Sequence, residues 1–359
     1  MPTSSELKFS EAQRFESRLS ARGRCLLIGE VAQAHDGSLA TAHAYVDAIA
    51  DAGADGVKFQ AHLASAESTP REPWRKRFRT QDETRYDYWQ RMEWQPAHWR
   101  ELAEHARERG LFFLCSPFSV EAVEMLEEVG VAAYKIASGE VSNLPLLERV
   151  VKSGRPILLS TGMSGWAEID AAHALLRRGA GTLVLLQCTS KYPTPLEEVG
   201  VGLLAEMNDR YQCPVGLSDH SGTIWPSVVA ATLGAKLVEV HVAFSREVFS
   251  PDLAVSLTTG ELRQLAEGLS AVSRLSKHVD KEQAARELQP MRDLFTKSIV
   301  ARRPLPAGHL LTAADLAFKK PGYGLPPSAL HEVLGRRLRR ELAADEPLAG
   351  RDLEPPSWG

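Results

Sequence analysis

The sequence of 359 residues contains no apolar run long enough to cross a bilayer, which takes about 18 residues. Its polar first 24 residues lack the apolar core of a signal peptide. We therefore expect a cytoplasmic protein without a membrane partner. Lysine and arginine (42) nearly balance aspartate and glutamate (46), which leaves a net charge of −4. So small a net charge gives no basic field that would attract nucleic acid, and we expect no such partner.

Cysteine is also scarce, and the sequence has no CxxC motif. The four cysteines are scattered at positions 25, 115, 188 and 213, each in or beside a predicted strand. We interpret all four as reduced residues in the wall of a sheet. No internal repeat or low-complexity tract is evident.

Short apolar segments rich in Val, Ile and Leu recur along the chain, each followed by a turn and a helical pattern. This alternation is typical of βα units, and eight such units form a closed barrel. The predicted strands are 25–29, 56–59, 111–115, 133–136, 156–160, 182–187, 214–217 and 237–240. Helical patterns at 39–52, 99–109 and 120–129 each end at a glycine, as helix C-termini commonly do. The sequence therefore predicts an α/β fold, a (β/α)8 TIM barrel.

The pattern changes near residue 290, where short strands punctuated by Pro and Gly follow. We expect an N-terminal extension (1–24), a barrel domain (25–285), a linker (286–295) and a small second domain (296–359). So small a domain has little core of its own and is expected to dock on another surface. A basic and aromatic insertion, 68–94, follows the second strand. It is expected either over the active-site face or as solvated surface helices.

The catalytic groups of a TIM barrel come from the C-terminal ends of its strands, and here those ends are polar. They carry Glu30, Lys58, Gln60, Ser116, Lys135, Ser138, Ser160, Thr161, Thr189, Ser190, Tyr192, Ser218, Asp219, His220, Glu239 and His241. Two lysines with several hydroxyls suit a small anion such as a phosphate or a carboxylate. A strand-end lysine can also form a Schiff base, so Lys135 alone does not exclude an aldolase.

His220 and His241 follow adjacent strands, so both imidazoles can converge on one ion. Glu30 or Glu239 could supply or orient further ligands. Two imidazoles with a carboxylate and water suit Mn²⁺, Fe²⁺ or Zn²⁺. The pattern therefore predicts a divalent metal site, where the ion would polarise an aldehyde oxygen.

The chain resembles the N-acetylneuraminate (sialic acid) synthase family in seven segments, in the same order along the chain. They are GEVAQAHDGS, DAGADGVKFQ, FLCSPFS, YKIASGEVSNLPLLERVVKSGRPILLSTGM, CTSKYPTP, GLSDHSG and LVEVH. The resemblance covers nearly all of residues 25–345. The tail KSIVARRPLPAGHLLTAADLAFKKPG is similar to the family's antifreeze-like SAF (β-clip) domain. The resemblance implies a domain-swapped homodimer, in which the SAF domain of one subunit closes the barrel of the other.

The resemblance implies a transferase that condenses phosphoenolpyruvate with a sugar aldehyde and water, with release of phosphate by C–O cleavage. The product would be a 2-keto-3-deoxy sugar acid, and a nonulosonic acid if the acceptor has six carbons. A divalent ion, Mn²⁺ rather than Mg²⁺ or Co²⁺, would bind His220 and His241. By motif position, phosphoenolpyruvate would be held by Lys58, Ser116, Lys135, Ser138, Ser160, Ser190 and Ser218. Glu30 would act on the attacking water or the sugar hydroxyls, and Gln60, Tyr192 and Asp252 would contact the acceptor.

The acceptor side departs from the family pattern at three places. AHDG at 34–37 replaces Asn-His-Asn-Gly, and SPDL at 250–253 replaces Gly-Pro-Asp-His. Lys320 replaces the SAF arginine that reaches the N-acetyl sugar, and lysine cannot reproduce the planar fork of arginine. We therefore expect an acceptor other than N-acetylmannosamine.

Three alternatives remain at this stage. Octulosonate-phosphate or heptulosonate-phosphate synthases share the chemistry, but the SAF-like tail argues against them. A Schiff-base aldolase would use Lys135 on pyruvate without a metal. A non-catalytic sugar-binding protein would use the SAF domain as its interaction module.

Overall fold

A computed structural model describes residues 10–74, 81–179 and 181–355. Parts of the predicted N-terminal extension (1–9), of the insertion (75–80) and of the second domain (356–359) lie outside the described residues. The chain folds into two compact units, Met1–Lys277 and His278–Gly359. Each unit has a hydrophobic core of its own.

The first unit is a closed barrel of eight parallel strands. They are β1 (Leu26–Glu30), β2 (Gly56–Ala61), β3 (Phe112–Pro117), β4 (Ala133–Ile136), β5 (Ile157–Ser160), β6 (Leu183–Cys188), β7 (Val215–Asp219) and β8 (Leu237–Ala243). Each strand pairs with the next, and β1 pairs with β8 to close the ring. A short strand, β9 (Leu257–Thr258), adds to β8. The predicted TIM-barrel fold is confirmed, and all eight predicted strands are present with ends that differ by at most three residues.

Helices precede, connect and follow the strands, and most of them bury their apolar faces against the barrel wall. They are α1 (Glu11–Ser20), α2 (Leu39–Asp51), α3 (Ala64–Glu67), α4 (Arg85–Met92), α5 (Pro96–Glu108), α6 (Val120–Val129), α7 (Leu144–Val151), α8 (Trp166–Leu176), α9 (Leu203–Tyr211), α10 (Trp225–Thr232) and α11 (Thr259–Leu275). Ser119 caps α6 at its start, and Gly130 ends it in the left-handed conformation (φ 81°) that glycine favours. Among the described residues, no helix has the length and apolar character that crossing a membrane requires.

Helix α1 fills the N-terminal end of the barrel. Its Phe15 and Leu19 are fully buried among inward-facing strand residues, in a core cluster separate from the one beneath the outer helices. Glu11 accepts a hydrogen bond from the Phe113 backbone N–H (3.0 Å), and Glu16 accepts one from Thr182 (2.8 Å). Part of the predicted N-terminal extension is thus an integral part of the barrel domain.

The second unit begins with two helices, α12 (Lys281–Glu287) and α13 (Gln289–Phe295), so the predicted linker at 286–295 is helical. An antiparallel pair follows, β10 (Ser298–Ala301) and β11 (Leu316–Lys319), with a short helix α14 (Leu330–Val333). The small antiparallel region expected after residue 290 is therefore present.

The second unit contains an internal repeat that inspection of the sequence did not find. Arg303 binds Asp315 at 2.7 Å, and Arg340 binds Asp352 at 2.7 Å, in two equivalent turns. Each aspartate also accepts a hydrogen bond from the backbone N–H three residues before it, at 3.0 and 2.8 Å. The two turns therefore form the same local structure twice.

Candidate active site

Several strand ends border a cavity of about 860 Å³. Side chains alternate along a strand, so Lys58 and Gln60 share one face of β2, and Glu239 and His241 share one face of β8. The strand register sets Glu30 of β1 directly beside Lys58 and His241. Strand pairing alone therefore gathers groups that are far apart in the sequence.

The two predicted anion-binding lysines are buried against two glutamates. Lys58 Nζ lies 2.5 Å from Glu30 Oε2 and 3.6 Å from Glu239 Oε1. Lys135 Nζ lies 2.8 Å from the same Glu239 oxygen. All four side chains are at most 5% exposed. The structure therefore brings both lysines to one place, with Glu239 as their shared counterion.

Mutual attraction keeps Lys58 and Glu239 charged despite burial. Burial lowers the pKa of Lys58, but Glu239 and Glu30 outweigh it and raise that pKa above its ordinary value. Burial raises the pKa of Glu239, but Lys135 and Lys58 outweigh it and hold that pKa below its ordinary value. The site therefore contains a preformed ammonium group at Lys58 beside a charged Glu239.

Hydroxyl groups surround the lysine pair, as predicted for an anion site. Ser116 accepts a hydrogen bond from Lys58 Nζ at 3.2 Å, and Ser218 donates one to Glu239 at 3.2 Å. Within the described residues, the buried Ser160 Oγ has no hydrogen-bond partner. A buried hydroxyl without a partner costs stability, which is consistent with a ligand that completes its hydrogen bonding.

Two further predicted residues, Ser138 and Ser190, converge on Gly162. The Gly162 N–H donates to Ser138 Oγ at 3.0 Å. A Cβ at Gly162 would lie 2.5 Å from Ser190 Oγ and 2.9 Å from both Ser138 Oγ and Cys188 Sγ. Only glycine therefore fits where these hydroxyls meet. The sequence analysis did not single out Gly162, because the contact depends on three separate loops.

His220 and His241 are adjacent, with ring centres 5.3 Å apart. His220 Nδ1 lies 3.1 Å from the Thr189 carbonyl oxygen, so it donates there, and Nε2 accepts from the Tyr192 hydroxyl at 3.0 Å. Burial, with repulsion from His241, lowers the pKa of His220 to about 3, so the ring is neutral. A metal-binding imidazole has this form, with its second nitrogen anchored to a carbonyl.

The two imidazoles fit a metal ion only as part of a larger ligand set. No group of three or more His, Cys, Asp or Glu residues suited to a metal occurs in the described part of the chain. Asp252 Oδ2 lies 3.8 Å from His241 Nδ1. The two imidazoles would supply two ligands of an ion, and other groups would complete its coordination.

Three of the four residues predicted to contact the acceptor, Gln60, Tyr192 and Asp252, line the cavity. Gln60 Nε2 donates to Glu30 Oε1 at 2.7 Å, which connects this predicted acceptor contact to the carboxylate beside Lys58. The fourth, Lys320, belongs to the second unit, where its Nζ lies 5.1 Å from the centre of the Phe295 ring.

The insertion after β2 contributes to the cavity through its described parts. Trp74, Arg85 and Trp89 line it, which favours the active-site interpretation over a solvated surface helix pair. His62 and Gln33 also line it, although the sequence analysis singled out neither. His62 follows Gln60 by two residues and so continues the same face of β2, a signal that the strand-end pattern could have provided.

Comparison with known proteins gives consistent matches. Residues 45–281 match the NeuB family, and residues 296–354 match the SAF domain. The chain is 32% identical over 329 residues to the N,N'-diacetyllegionaminic acid synthase of Campylobacter jejuni, covering 90% of this chain and 98% of that protein. It is 30% identical over 334 residues to the N-acetylneuraminate-9-phosphate synthase of Homo sapiens, covering 90% of each.

A solved structure is also similar. The N-acetylneuraminic acid (sialic acid) synthetase from Leptospira borgpetersenii, in complex with citrate, has a TM-score of 0.65 and 27% identity. The match covers 74% of this chain and 92% of that chain. The chain belongs to the NeuB family of phosphoenolpyruvate-dependent nonulosonic acid synthases, and it carries a C-terminal SAF domain.

Proposed function

We propose that this chain condenses phosphoenolpyruvate with the aldehyde of a six-carbon amino or deoxy sugar other than N-acetylmannosamine. C3 of phosphoenolpyruvate attacks the aldehyde carbon, water adds at C2, and the C2–O bond breaks to release phosphate. The product is a 2-keto-3-deoxy nonulosonic acid.

The buried lysine pair is the observation that carries this proposal. Lys58 and Lys135 share the Glu239 carboxylate, so two ammonium groups stand ready for one anionic substrate. The serine hydroxyls around them, with the Ser138–Ser190 pair at Gly162, supply donors for carboxylate and phosphate oxygens. Binding at two ammonium groups orients phosphoenolpyruvate before the aldehyde arrives.

Glu30 is placed to handle the proton of the attacking water. Its carboxylate contacts Lys58 at 2.5 Å and Gln60 at 2.7 Å, so it lies between the anion side and the acceptor side. A carboxylate at that position can accept a proton from water as C2 is attacked.

His220 and His241 would hold the divalent ion, with Mn²⁺ as the proposed metal. The tautomer of His220, fixed by the Thr189 carbonyl, leaves Nε2 without a hydrogen, and an ion bound there would replace the Tyr192 hydroxyl as its partner. When bound, such an ion supplies Lewis-acid polarisation of the aldehyde oxygen.

The acceptor proposal is supported by the departures from the family pattern. Ala34 is buried in the barrel core, and Asp36 is engaged by Arg91 in an ion pair of 2.9 Å. Lys320 offers one point charge instead of two parallel donors. The similarity to an N,N'-diacetyllegionaminic acid synthase, at 32% identity, points to an amino sugar with different substituents.

We also propose a domain-swapped homodimer, in which the SAF domain of one subunit closes the barrel of its partner. Its support is an exposed apolar surface on the second unit. Four large apolar side chains, one just before α13 and three within it, are about half exposed. They are Leu288 (55%), Met291 (49%), Leu294 (53%) and Phe295 (60%). An apolar group of this kind is typical of a protein interface.

The test is phosphate release from phosphoenolpyruvate with Mn²⁺ and a panel of amino, deoxy and N-acetylated hexose aldehydes. We expect another aldehyde to exceed N-acetylmannosamine in kcat/KM by about tenfold or more, the effect of one lost contact. EDTA should stop turnover until Mn²⁺ is restored. Lys320→Arg should improve the use of N-acetylmannosamine.

Two outcomes would contradict the proposal. If N-acetylmannosamine is the best acceptor and Lys320→Arg gains nothing, the altered-acceptor hypothesis is wrong. If full activity persists in excess chelator and borohydride with pyruvate traps an adduct on Lys135, the protein is a Schiff-base aldolase. The ion pair of Lys135 with Glu239 at 2.8 Å argues against that alternative, because a Schiff base needs the free amine.

A further inference from the structure

Four side chains behind the acceptor side of the cavity form a continuous hydrogen-bond chain to Glu30. In order they are Glu67, His62, Gln33 and Gln60. The reaction proposed above uses Gln60 and Glu30 and gives no role to the other three. An amide can be turned so that either its oxygen or its nitrogen meets a neighbour. The hydrogen bonds along this chain, called links below, therefore bear on how each amide is oriented.

The first link fixes the imidazole of His62. Its ring stacks between Trp89 (centroids 4.0 Å apart, 18° between planes) and Phe118 (4.4 Å, 14°). Its Nδ1 lies 2.6 Å from Glu67 Oε1, and a carboxylate can only accept there. Nδ1 therefore carries a hydrogen, and Nε2 faces the Gln33 and Gln60 amides.

The second link brings three polar atoms together. Gln33 Nε2 lies 2.9 Å from His62 Nε2 and 2.5 Å from Gln60 Oε1, and His62 Nε2 lies 3.1 Å from the same Gln60 oxygen. Gln60 Oε1 therefore accepts from Gln33 and has a second partner in His62 Nε2. The reversed Gln60 amide would set its N–H groups against the Gln33 N–H groups and its oxygen against the Glu30 carboxylate, which is unfavourable in a buried site.

The third link fixes the amide of Gln60. Its oxygen accepts from Gln33, and its nitrogen donates to Glu30 Oε1 at 2.7 Å. One N–H of Gln60 then remains, and the residue lines the cavity. The group that Gln60 offers to a sugar is therefore a donor.

We propose that Gln33 and His62 are positioning residues that lock the Gln60 amide with its N–H groups toward Glu30 and the acceptor. This inference rests on the proposed function and adds a specificity rule to it. The atom of the aldehyde substrate that meets Gln60 is a hydroxyl or acyl carbonyl oxygen, since only an acceptor completes the remaining N–H. The lock acts mainly on the acceptor, because it reaches the lysine pair only through Glu30, which contacts Lys58, whereas Glu239 contacts both lysines.

The kinetic test uses near-isosteric changes that reverse or remove one link. Gln33→Glu puts oxygen where the lock needs N–H, and His62→Phe keeps the stacked ring but removes both nitrogens. Each should lower kcat/KM for the best aldehyde by about tenfold, the value of one good hydrogen bond, and leave the KM for phosphoenolpyruvate within about twofold. His62→Gln, whose amide oxygen can replace Nε2 as acceptor, should restore most of the loss.

His105→Phe is the matched control. His105 is also a half-buried imidazole bound to another side chain, His43 at 2.8 Å, but it lies on α5 and does not line the cavity. Its replacement should leave both kinetic constants unchanged. If Gln33→Glu and His62→Phe behave like this control, or raise both KM values together, the positioning role is wrong.

A second measurement separates this inference from the proposed function. Two-bond ¹H–¹⁵N NMR of the imidazoles, assigned with the His62→Phe variant, reports which ring nitrogen of His62 carries the hydrogen. We expect a hydrogen on Nδ1. A ring without a hydrogen on Nδ1 overturns the lock whatever the activity. Lack of phosphate release with every aldehyde, together with a hydrogen on Nδ1, overturns the proposed reaction instead.

Discussion

At the scale of single residues, the proposed anion site has its own counterion. Lys58 and Lys135 both face Glu239 in the interior of the barrel mouth. A buried pair is costly to break, because removing one partner leaves the other charge without compensation. In the proposed reaction, phosphoenolpyruvate therefore competes with Glu239 for the two lysines, and Glu239 holds them in position in its absence.

Lys135→Ala should impair both stability and binding. We expect the free energy of unfolding to fall by about 3–5 kcal/mol, because Glu239 loses its closest cation. Phosphoenolpyruvate should bind at least about tenfold more weakly. Urea unfolding and ligand titration measure the two effects.

A second change separates these effects. Adding Glu239→Gln to Lys135→Ala should recover part of the stability but none of the binding, because it removes the stranded charge without restoring the ammonium group. Lys152→Ala, at an exposed position, is the control and should change neither property. If Lys135→Ala and the natural chain have the same free energy of unfolding, the stabilising role of the Lys135–Glu239 ion pair is wrong.

At the scale of elements, the positions of the strands could be predicted from the sequence, but the distances between side chains on different strands could not. Each barrel strand is an apolar run with polar residues at its end, so Lys58, Lys135, His220 and His241 could be assigned to the mouth from the sequence. The distances among them depend on register, which the sequence does not show. Gly162 escaped notice for the same reason, since three loops meet there.

The repeat in the second unit is present in the sequence, although the sequence analysis missed it. The segments 302–316 and 339–353 both read RRxLxAxxxLxxxDL, a pattern too short and too interrupted to stand out before the equivalent ion pairs were seen. The predicted linker at 286–295 is helical, which the sequence did not indicate. Short polar helices have little apolar periodicity to reveal them.

Asp315 should make the first of these turns sensitive to acid. Hydrogen bonds from His309 and Thr312 hold its pKa below the ordinary value. A carboxyl with a lowered folded pKa stabilises above its ordinary pKa of about 4, and this contribution is lost as the pH falls through the folded value. Asp315→Asn should cost about 1.5–3 kcal/mol at neutral pH, and the difference should shrink below about pH 4.

Hydrogen exchange of the β10 amides, measured as a function of pH, would report the stability of the second unit separately from that of the first. Asp345→Asn is the control, because Asp345 is exposed and asparagine tolerates its positive φ of 66°. That variant should match the natural chain. A pH-independent cost of Asp315→Asn would show that the carboxylate charge is not what stabilises the turn.

At the scale of the whole molecule, the two units have separate cores, so the first should fold without the second. We expect a chain that ends at Lys277 to keep the barrel and bind phosphoenolpyruvate but to lose turnover. The reason is the proposed swap, in which the SAF domain of a partner closes the cavity. Circular dichroism, ligand titration and phosphate release measure the three properties.

Complementation tests the swap directly. Mixing the truncated chain with full-length His220→Ala should restore part of the turnover, because the inactive partner supplies its SAF domain to the intact barrel. The full-length variant alone should remain inactive. The swap would be contradicted if the truncated chain alone shows undiminished turnover. It would also be contradicted if the mixed chains form a dimer that shows no turnover.

The helix at the N-terminal end of the barrel bears on the order of binding. Phe15 and Leu19 pack at that end, so we expect substrates to enter at the opposite end, where the cavity lies. Lys58 precedes Gln60 by two residues on β2 and so lies about 6–7 Å further along the strand from that entrance. With Lys58 assigned to phosphoenolpyruvate and Gln60 to the sugar, as proposed above, we expect phosphoenolpyruvate to bind before the sugar.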